Sequence, residues 1–323
     1  MNRFIVKITD CDHPSVDIER NVISRIPADM SLHQCKTEED LIHECADADA
    51  LINQYAPLTR KVLSQLKNCK VIVRYGVGVN NVDLEAASEY GIPVCNVPDY
   101  GIDEVSDHAL ALMYTLTRKT LLLANAVRRG EWDFSISRPI LRLRDQVVGV
   151  VGLGRIGSAF AKKAHGAGFK VIGFDPRRTV REDLSFMESV SFEELLQQSD
   201  MISIHCPLID ETRNLFGEKE LRAMKSSAYL INTARGGIID EVALDQALRE
   251  GWIAGAALDV LELEPPRPDH PLLQHESFLA TPHVAWYSEQ AFDELKRKAA
   301  EEAVRVLNGE EPLNRVNAMK VTN

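Results

Sequence analysis

The chain has 323 residues, 45% hydrophobic and 26% charged, with a formal net charge of −11. A single hydrophobic core stops growing near roughly 250–300 residues, so two domains are expected. The acidic balance argues against direct binding of nucleic acid, which needs a concentrated basic patch, but leaves room for a small anion at a local site.

In chain order, the first apolar run is Phe4–Ile8, which reads as a strand. It lacks the longer apolar stretch and small-residue cleavage site of a signal peptide. Further strand-like runs fall at 50–52, 70–74 and 93–96, with helical patterns at 37–46, 59–66 and 83–90 between them. Such alternation implies a parallel α/β sheet. One long helical pattern follows at 105–129. Its most apolar part is interrupted by Arg118 and Lys119, so no membrane span is read. A second alternation has strand-like runs at 147–151, 170–174, 201–205, 228–232, 255–258 and 278–281, which suits a doubly wound dinucleotide-binding sheet. A proline-rich surface loop lies at 265–271, and a last helix is expected from about 288 to 307. If that helix returns to the first domain, the domains are 1–100 with 289–323, and 101–288. Six cysteines are scattered without a C-x-x-C or zinc-type spacing. They read as reduced thiols of a cytoplasmic protein, and no metal site is expected.

The strand at 147–151 runs directly into Gly152-Leu153-Gly154-Arg155-Ile156-Gly157, then an amphipathic stretch, then a strand ending in Asp175. Gly152 permits a tight turn, Gly154 lets backbone approach a pyrophosphate, and Gly157 lets helix and strand pack closely. The anion then meets a helix N-terminus. Asp175 stands where an acid meets ribose hydroxyls, and its charge disfavours a 2′-phosphate, so NAD is expected over NADP. The neighbouring Arg177 and Arg178 argue the other way.

Three later strands end in chemistry-bearing segments: Thr233-Ala234-Arg235-Gly236-Gly237, Asp259-Val260-Leu261-Glu262-Leu263-Glu264-Pro265 and Thr281-Pro282-His283-Val284-Ala285-Trp286. Open α/β sheets bind ligands at the carboxyl ends of their strands, so one Arg, one Glu and one His are expected at one crevice. A guanidinium can hold a carboxylate and a carbonyl in a planar fork. An imidazole can protonate the alkoxide that hydride transfer creates, and a carboxylate can orient the ring and raise its pKa. Spacing alone does not separate Glu262 from Glu264. His108, His165 and His205 read as structural.

Taken together, the glycine loop, Asp175, the Thr-Ala-Arg-Gly-Gly run, Asp259-Val260 with Glu264-Pro265, and Thr281-Pro282-His283 resemble the D-2-hydroxyacid dehydrogenase family over nearly the whole chain. Residues 282–290 most resemble its C-terminal-binding-protein branch, whose animal members are NAD-binding corepressors. The resemblance implies two doubly wound parallel-sheet domains: a Rossmann dinucleotide-binding domain and a flavodoxin-like substrate domain. It implies Arg235, Glu264 and His283 as the catalytic set, Glu264 being the acid before Pro. It places the dinucleotide on Val77, Gly152, Gly154, Arg155, Ile156, Gly157, Asp175, Cys206, Pro207, Thr212, Thr233, Ala234 and Asp259. It places the substrate on Arg74, Tyr75, Gly76, Val77, Gly78 and Trp286, with the amides of Val77 and Gly78 facing a carboxylate. Glycines there also make independent sense, since only a chain without bulk exposes successive amides. Arg74 reads equally well as half of a structural ion pair, and Trp286 as core. Tyr75, Tyr100 and Trp286 give an aromatic wall, and only Arg74 and Arg60 offer cations for a phosphate, so a small 2-keto/2-hydroxy acid without phosphate is favoured. A homodimer through about 103–129, with Trp132 nearby, is also implied. The alternative reading is an NAD-sensing dimeric module with little turnover.

Overall fold

The computed structural model describes residues 3–177 and 182–318. Contacts divide the chain into two units, Met1–Tyr100 with Ser288–Asn323, and Gly101–Tyr287.

The first unit alternates β1 (Phe4–Ile8), α1 (Asp17–Ile23), β2 (Ala28–Leu32), α2 (Glu38–Cys45), β3 (Ala50–Asn53), α3 (Arg60–Leu63), β4 (Val71–Arg74), α4 (Leu84–Glu89) and β5 (Val94–Cys95). The strands pair in parallel in the order β2-β1-β3-β4-β5, the flavodoxin-like arrangement. Every residue of β3 and the first three of β4 are buried, as expected of parallel strands covered on both faces. Thr37 and Asp40 form a capping box that starts α2, and the Asp83 side chain caps α4. The sequence pattern missed α1 and β2. The reason is visible in β2: only Ala28 is buried, because the strand lies at the sheet edge, so no apolar run marks it. The C-terminal helix, Glu289–Leu307, belongs to this unit. Ser288 Oγ accepts from Ala291 N at 3.0 Å to cap it, which puts Ser288 on the same side of the boundary.

The second unit opens with α5 (Ile102–Thr117) and α6 (Thr120–Arg128). One continuous helix was expected here. The break falls at Lys119, which takes a left-handed φ of 51°. Thr117 Oγ1 donates to Met113 O at 2.8 Å, a side-chain bond that competes with the helical ladder just before the turn. Then come β6 (Val147–Val151), α7 (Arg155–Gly166), β7 (Lys170–Phe174), β8 (Glu188–Ser189), α8 (Phe192–Gln198), β9 (Met201–Ile204), α9 (Glu218–Ala223), β10 (Tyr229–Asn232), α10 (Glu241–Glu250), β11 (Gly255–Leu258) and β12 (Phe278–Ala280). The all-parallel order β12-β11-β10-β9-β6-β7-β8 is the Rossmann order with a seventh strand. Successive residues feed opposite faces: Leu230 joins the cluster around Phe216, and Ile231 the cluster around Phe160. Burial on both faces explains why these strands read as continuous apolar runs. The unforeseen strand β8 has two exposed residues at an edge. Among the described residues, no helix is long and apolar enough to cross a membrane.

Candidate active site

The sheet of the second unit reverses direction of winding at β6, and the glycine loop leaves β6 there. Gly152 has a φ of 91°, and a Cβ on it would lie 2.7 Å from Cys206 N. A Cβ on Gly157 would lie 1.9 Å from Gly152 O. These two glycines are needed by the protein itself. Gly154 is different: its φ is −66°, and an added Cβ meets nothing within 4 Å. Its lack of a side chain keeps space open at the start of α7, where Arg155 and Ile156 are the first helical residues and no side chain caps the helix.

Asp175 follows β7. Its Oδ2 accepts from Leu153 N at 2.9 Å and its Oδ1 from Arg177 N at 3.0 Å, so the carboxylate is fixed beside the loop. Arg177 is exposed, and Arg178 lies outside the described residues. After β9, Cys206 is half-buried and burial pushes its thiol up to about 11. Thr212 Oγ1 donates to Pro207 O at 2.6 Å and accepts from Ile209 N at 2.9 Å, which closes that turn. After β10, Ala234 N donates to Asn232 Oδ1 at 2.9 Å. The Thr233 hydroxyl beside it is buried without a hydrogen-bond partner among the described residues. An open glycine, an uncapped helix start and an orphaned buried hydroxyl are what a dinucleotide would fill and satisfy.

The Arg, Glu and His come from three neighbouring strand ends. Arg235 follows β10, Glu264 follows β11 and His283 follows β12. His283 Nδ1 and Glu264 Oε2 are 2.6 Å apart, and Glu264 Oε1 accepts from Leu261 N at 2.9 Å. It is Glu264 that reaches the imidazole; Glu262 is exposed, and its amide donates to Glu241. Burial alone would raise the Glu264 carboxyl. The hydrogen bond and charge of His283, the Leu261 amide and the Arg235 guanidinium outweigh it and hold Glu264 below the usual carboxylate range. Arg235 Nη1 donates to Ala234 O at 2.7 Å. Gly236 allows the approach of these segments, since a Cβ on it would lie 2.1 Å from the Leu261 carbonyl carbon.

His283 has a left-handed φ of 52°. Its N–H donates to Asp259 O at 2.9 Å and Thr281 O at 3.0 Å. Asp259 is 2% exposed, and its carboxylate accepts from Thr281 Oγ1 and from the amides of Val284 and Ala285. This buried carboxylate clamps the turn that presents His283. His108, expected to be structural, adds to the clamp through Thr281 Oγ1 at 3.0 Å. Trp286 is half-buried, with Nε1 donating to His283 O at 3.0 Å.

In the first unit, Arg74 ends β4 and its guanidinium folds over Gly76: a Cβ there would lie 2.0 Å from Arg74 Nη1 and 3.5 Å from the Tyr100 hydroxyl. Gly76 has a φ of 123°. The amides of Val77 and Gly78 donate to no acceptor among the described residues, while Val77 O accepts from Asn96 Nδ2. Tyr75 does not line a pocket with its side chain, contrary to expectation. It is 2% exposed and its hydroxyl donates to Glu19. Arg74 and Tyr75 are consecutive on an extended chain, so they point to opposite sides, and only one can face outward. Arg60 is likewise not a spare cation, because it pairs with Glu89 and Asp83. Sequence reading missed Tyr55, at the end of β3. Its ring is exposed, its hydroxyl donates to Asp12 at 3.2 Å, and Arg74 lies close enough to act on it. No motif marks it.

Residues 110–285 match the family described as D-isomer specific 2-hydroxyacid dehydrogenase, NAD binding domain. A glyoxylate reductase of Korarchaeum cryptofilum is 36% identical over 321 residues, 94% of this chain and 96% of its own length. The chain belongs to the D-isomer-specific 2-hydroxyacid dehydrogenases. It is an NAD-dependent oxidoreductase acting on the CH–OH group of 2-hydroxy acids. A D-3-phosphoglycerate dehydrogenase of Methanocaldococcus jannaschii is 40% identical over 87% of this chain, which spans only 54% of that longer protein. The D-lactate dehydrogenase of Aquifex aeolicus, solved with NAD and lactic acid, superposes with a TM-score of 0.87 at 27% identity, covering 94% of this chain and 96% of its own.

Proposed function

We propose that this dehydrogenase reduces a small, unphosphorylated 2-keto acid to its D-2-hydroxy acid, with His283 as acid in that direction and base in the other. The observation that carries the reading is the His283–Glu264 pair at 2.6 Å, joining the ends of the adjacent strands β12 and β11, with Arg235 after β10, the next strand in the sheet. The unit Gly101–Tyr287 holds the dinucleotide on Gly152, Gly154, Arg155, Ile156, Gly157, Asp175 and Thr233, with further contacts from Cys206, Pro207, Thr212, Ala234 and Asp259. When bound there, NAD would supply the hydride acceptor for oxidation and NADH the hydride donor for reduction. The amides of Val77 and Gly78, with Arg74, are assigned to the substrate carboxylate.

Each residue then has one task. Arg235 holds carboxylate and carbonyl in its fork and offsets negative charge on the carbonyl oxygen. Glu264, held anionic, fixes the Nδ1 side of His283 and leaves Nε2 for the substrate. As the carbonyl carbon gains hydride, His283 passes the Nε2 proton to the oxygen, giving the hydroxyl; solvent then reprotonates the ring. In oxidation the proton and hydride leave in the reverse sense. The commitment of Arg60 to Glu89 removes a cation that a phosphate would need. An NAD-sensing module without turnover gains no support beside a complete Arg, Glu and His set.

A homodimer is part of the same reading. Trp132 and Phe134 are 91% and 71% exposed, and Leu121, Val127 and Leu141 add to the uncovered apolar surface. Apolar exposure on this scale marks a contact surface, and a second copy is the proposed cover. The six free cysteines, five of them buried, fit a reducing cytoplasm.

The test is a screen of glyoxylate, hydroxypyruvate, phosphohydroxypyruvate and 4-methylthio-2-oxobutyrate with NADH. Turnover of at least one unphosphorylated acid in preference to phosphohydroxypyruvate is expected. Tight NADH binding with no turnover of any would overturn the proposal.

A further inference from the structure

A charged cluster lies inside the first unit, around Tyr75. Glu19 on α1 is fully buried, and the Lys296 side chain on the C-terminal helix is 3% exposed. Lys296 Nζ stands 3.7 Å from Glu19 Oε2 and also donates to Ser15 O. The Tyr75 hydroxyl donates to Glu19 Oε1 at 2.7 Å. The His13 ring completes the enclosure. It stands edge-on to Tyr75, with centroids 5.0 Å apart, and to Phe292 at 4.7 Å. Neither His13 nitrogen has a hydrogen-bond partner among the described residues, so it serves as a ring rather than a relay.

Stability is a poor explanation for this arrangement. Withdrawing two charges from water is costly, and well-packed apolar residues of similar volume usually hold a core as well or better. What the ion pair does supply is a fixed acceptor for one hydroxyl. Tyr75 immediately precedes Gly76, whose φ of 123° lies in a region that glycine visits freely. Without an anchor on Tyr75, that freedom would let the amides of Val77 and Gly78 turn away from a shared target. With the Tyr75 hydroxyl held by a carboxylate that is itself held by Lys296, the direction of the chain entering Gly76 is set from three segments.

We propose that Glu19 and Lys296 are positioning residues for the keto-acid carboxylate, acting through Tyr75 on the amides of Val77 and Gly78. The proposal rests on the reading that those amides bind the substrate. The pair touches no substrate, and its effect is on binding common to ground and transition states, so KM should carry it rather than kcat.

Tyr75→Phe and Glu19→Gln test it, with glyoxylate and NADH as probes. Misalignment of the amides worth about one ordinary hydrogen bond predicts that Tyr75→Phe raises KM for glyoxylate roughly fivefold to tenfold, with kcat within about twofold. The Kd for NADH should stay unchanged. Backbone amide exchange across residues 75–78 should quicken in both variants without substrate or cofactor present. The double variant should match Glu19→Gln alone, because both changes break one chain of contacts. Should Glu19→Gln fail to fold, Tyr75→Phe still decides. A folded Tyr75→Phe with wild-type KM and wild-type exchange overturns the proposal. Gly76→Ala separates the two levels, since its Cβ would meet Arg74 Nη1 at 2.0 Å in a backbone conformation unsuited to alanine. If Gly76→Ala raises KM while Tyr75→Phe does not, the positioning role fails and the carboxylate site stands. If neither moves KM, the carboxylate reading fails as well.

Discussion

Gly154→Ala should separate cofactor binding from folding. At Gly154 the backbone φ is −66°, open to any residue, and an added methyl meets no protein atom within 4 Å. Folding should therefore tolerate it: Gly→Ala at a compatible site changes stability by about 0.4–1 kcal/mol, mostly through the unfolded chain. Binding should not tolerate it, because the methyl occupies the approach to the uncapped amides of α7. Loss of one bond to a charged group, about 1.5–3 kcal/mol, corresponds to a Kd for NADH weaker by roughly 10- to 150-fold. Gly157→Ala is the contrasting control. Its Cβ would stand 1.9 Å from Gly152 O and 3.1 Å from His205 Cβ, both fixed parts of the fold. Overpacking of this kind costs about 1–3 kcal/mol or more, and a unit of this size loses roughly 2–4 °C of Tm per kcal/mol. Fluorescence titration with NADH and a thermal melt of the same samples read both quantities. A Gly154→Ala protein that binds NADH like the wild type would refute the assignment of that open space to the dinucleotide.

His283→Ala should lower kcat by about 10²–10⁴ while NADH still binds, and unchanged turnover would remove His283 from the mechanism. Arg235→Lys should raise KM for the keto acid and lower kcat together because the fork is lost; steady-state kinetics with a retained KM would contradict it. Glu264→Gln keeps the shape beside His283 but not the charge. With both side chains more than a third exposed, screening leaves about 1–2 kcal/mol of the hydrogen bond, or a roughly 5- to 30-fold loss in kcat. Burial lowers the His13 imidazole to about 4, so between pH 6.5 and 4 the unfolded chain binds more protons than the folded one. Stability should therefore fall as pH drops through that window, by about 3 kcal/mol in the limit, and urea melts of His13→Phe should show a flatter pH dependence there.

Much of this molecule is legible in its sequence for a physical reason. Parallel strands covered on both faces must be apolar throughout, so β3, β6, β9 and β10 stand out as runs, and the residues that follow them lie where ligands bind. Arg235 and Glu264 follow the runs of β10 and β11, and His283 follows β12, an edge strand that is apolar although only half-buried, which is why their neighbourhood could be foreseen. The edge strands β2 and β8 carry no such mark. Ala28–Leu32 and Glu188–Ser189 pair on one side only and bury almost nothing, so their residues are free to be polar. The kink at Lys119 was hidden for a related reason: apolar spacing persists across it, and the break rests on one backbone angle and one Thr117 hydroxyl.

Tyr75 and Tyr55 show where pattern reading stops. A motif such as Arg74-Tyr75-Gly76-Val77-Gly78 locates a loop but not the direction of each side chain. Because Arg74 and Tyr75 are adjacent on extended backbone, an outward Arg74 requires an inward Tyr75. The ring then has to bring its hydroxyl to a buried acceptor, since an unpaired hydroxyl in the core would be costly. That acceptor, Glu19, lies 56 residues away in sequence, and its charge is balanced by Lys296 from the far end of the chain. Three residues without a common motif thus answer one requirement set by the geometry of β4. Tyr55 has the converse history. It is exposed, yet its hydroxyl is tied to Asp12 and Arg74 lies nearby, so its ring is held just beyond the carboxyl end of β3, the side on which open α/β sheets place ligands. Side-chain selectivity for the keto acid should therefore be sought at Tyr55 before Tyr75: replacing Tyr55 with Leu should change the ranking of keto acids by kcat/KM, and an unaltered ranking would exclude it from the pocket wall.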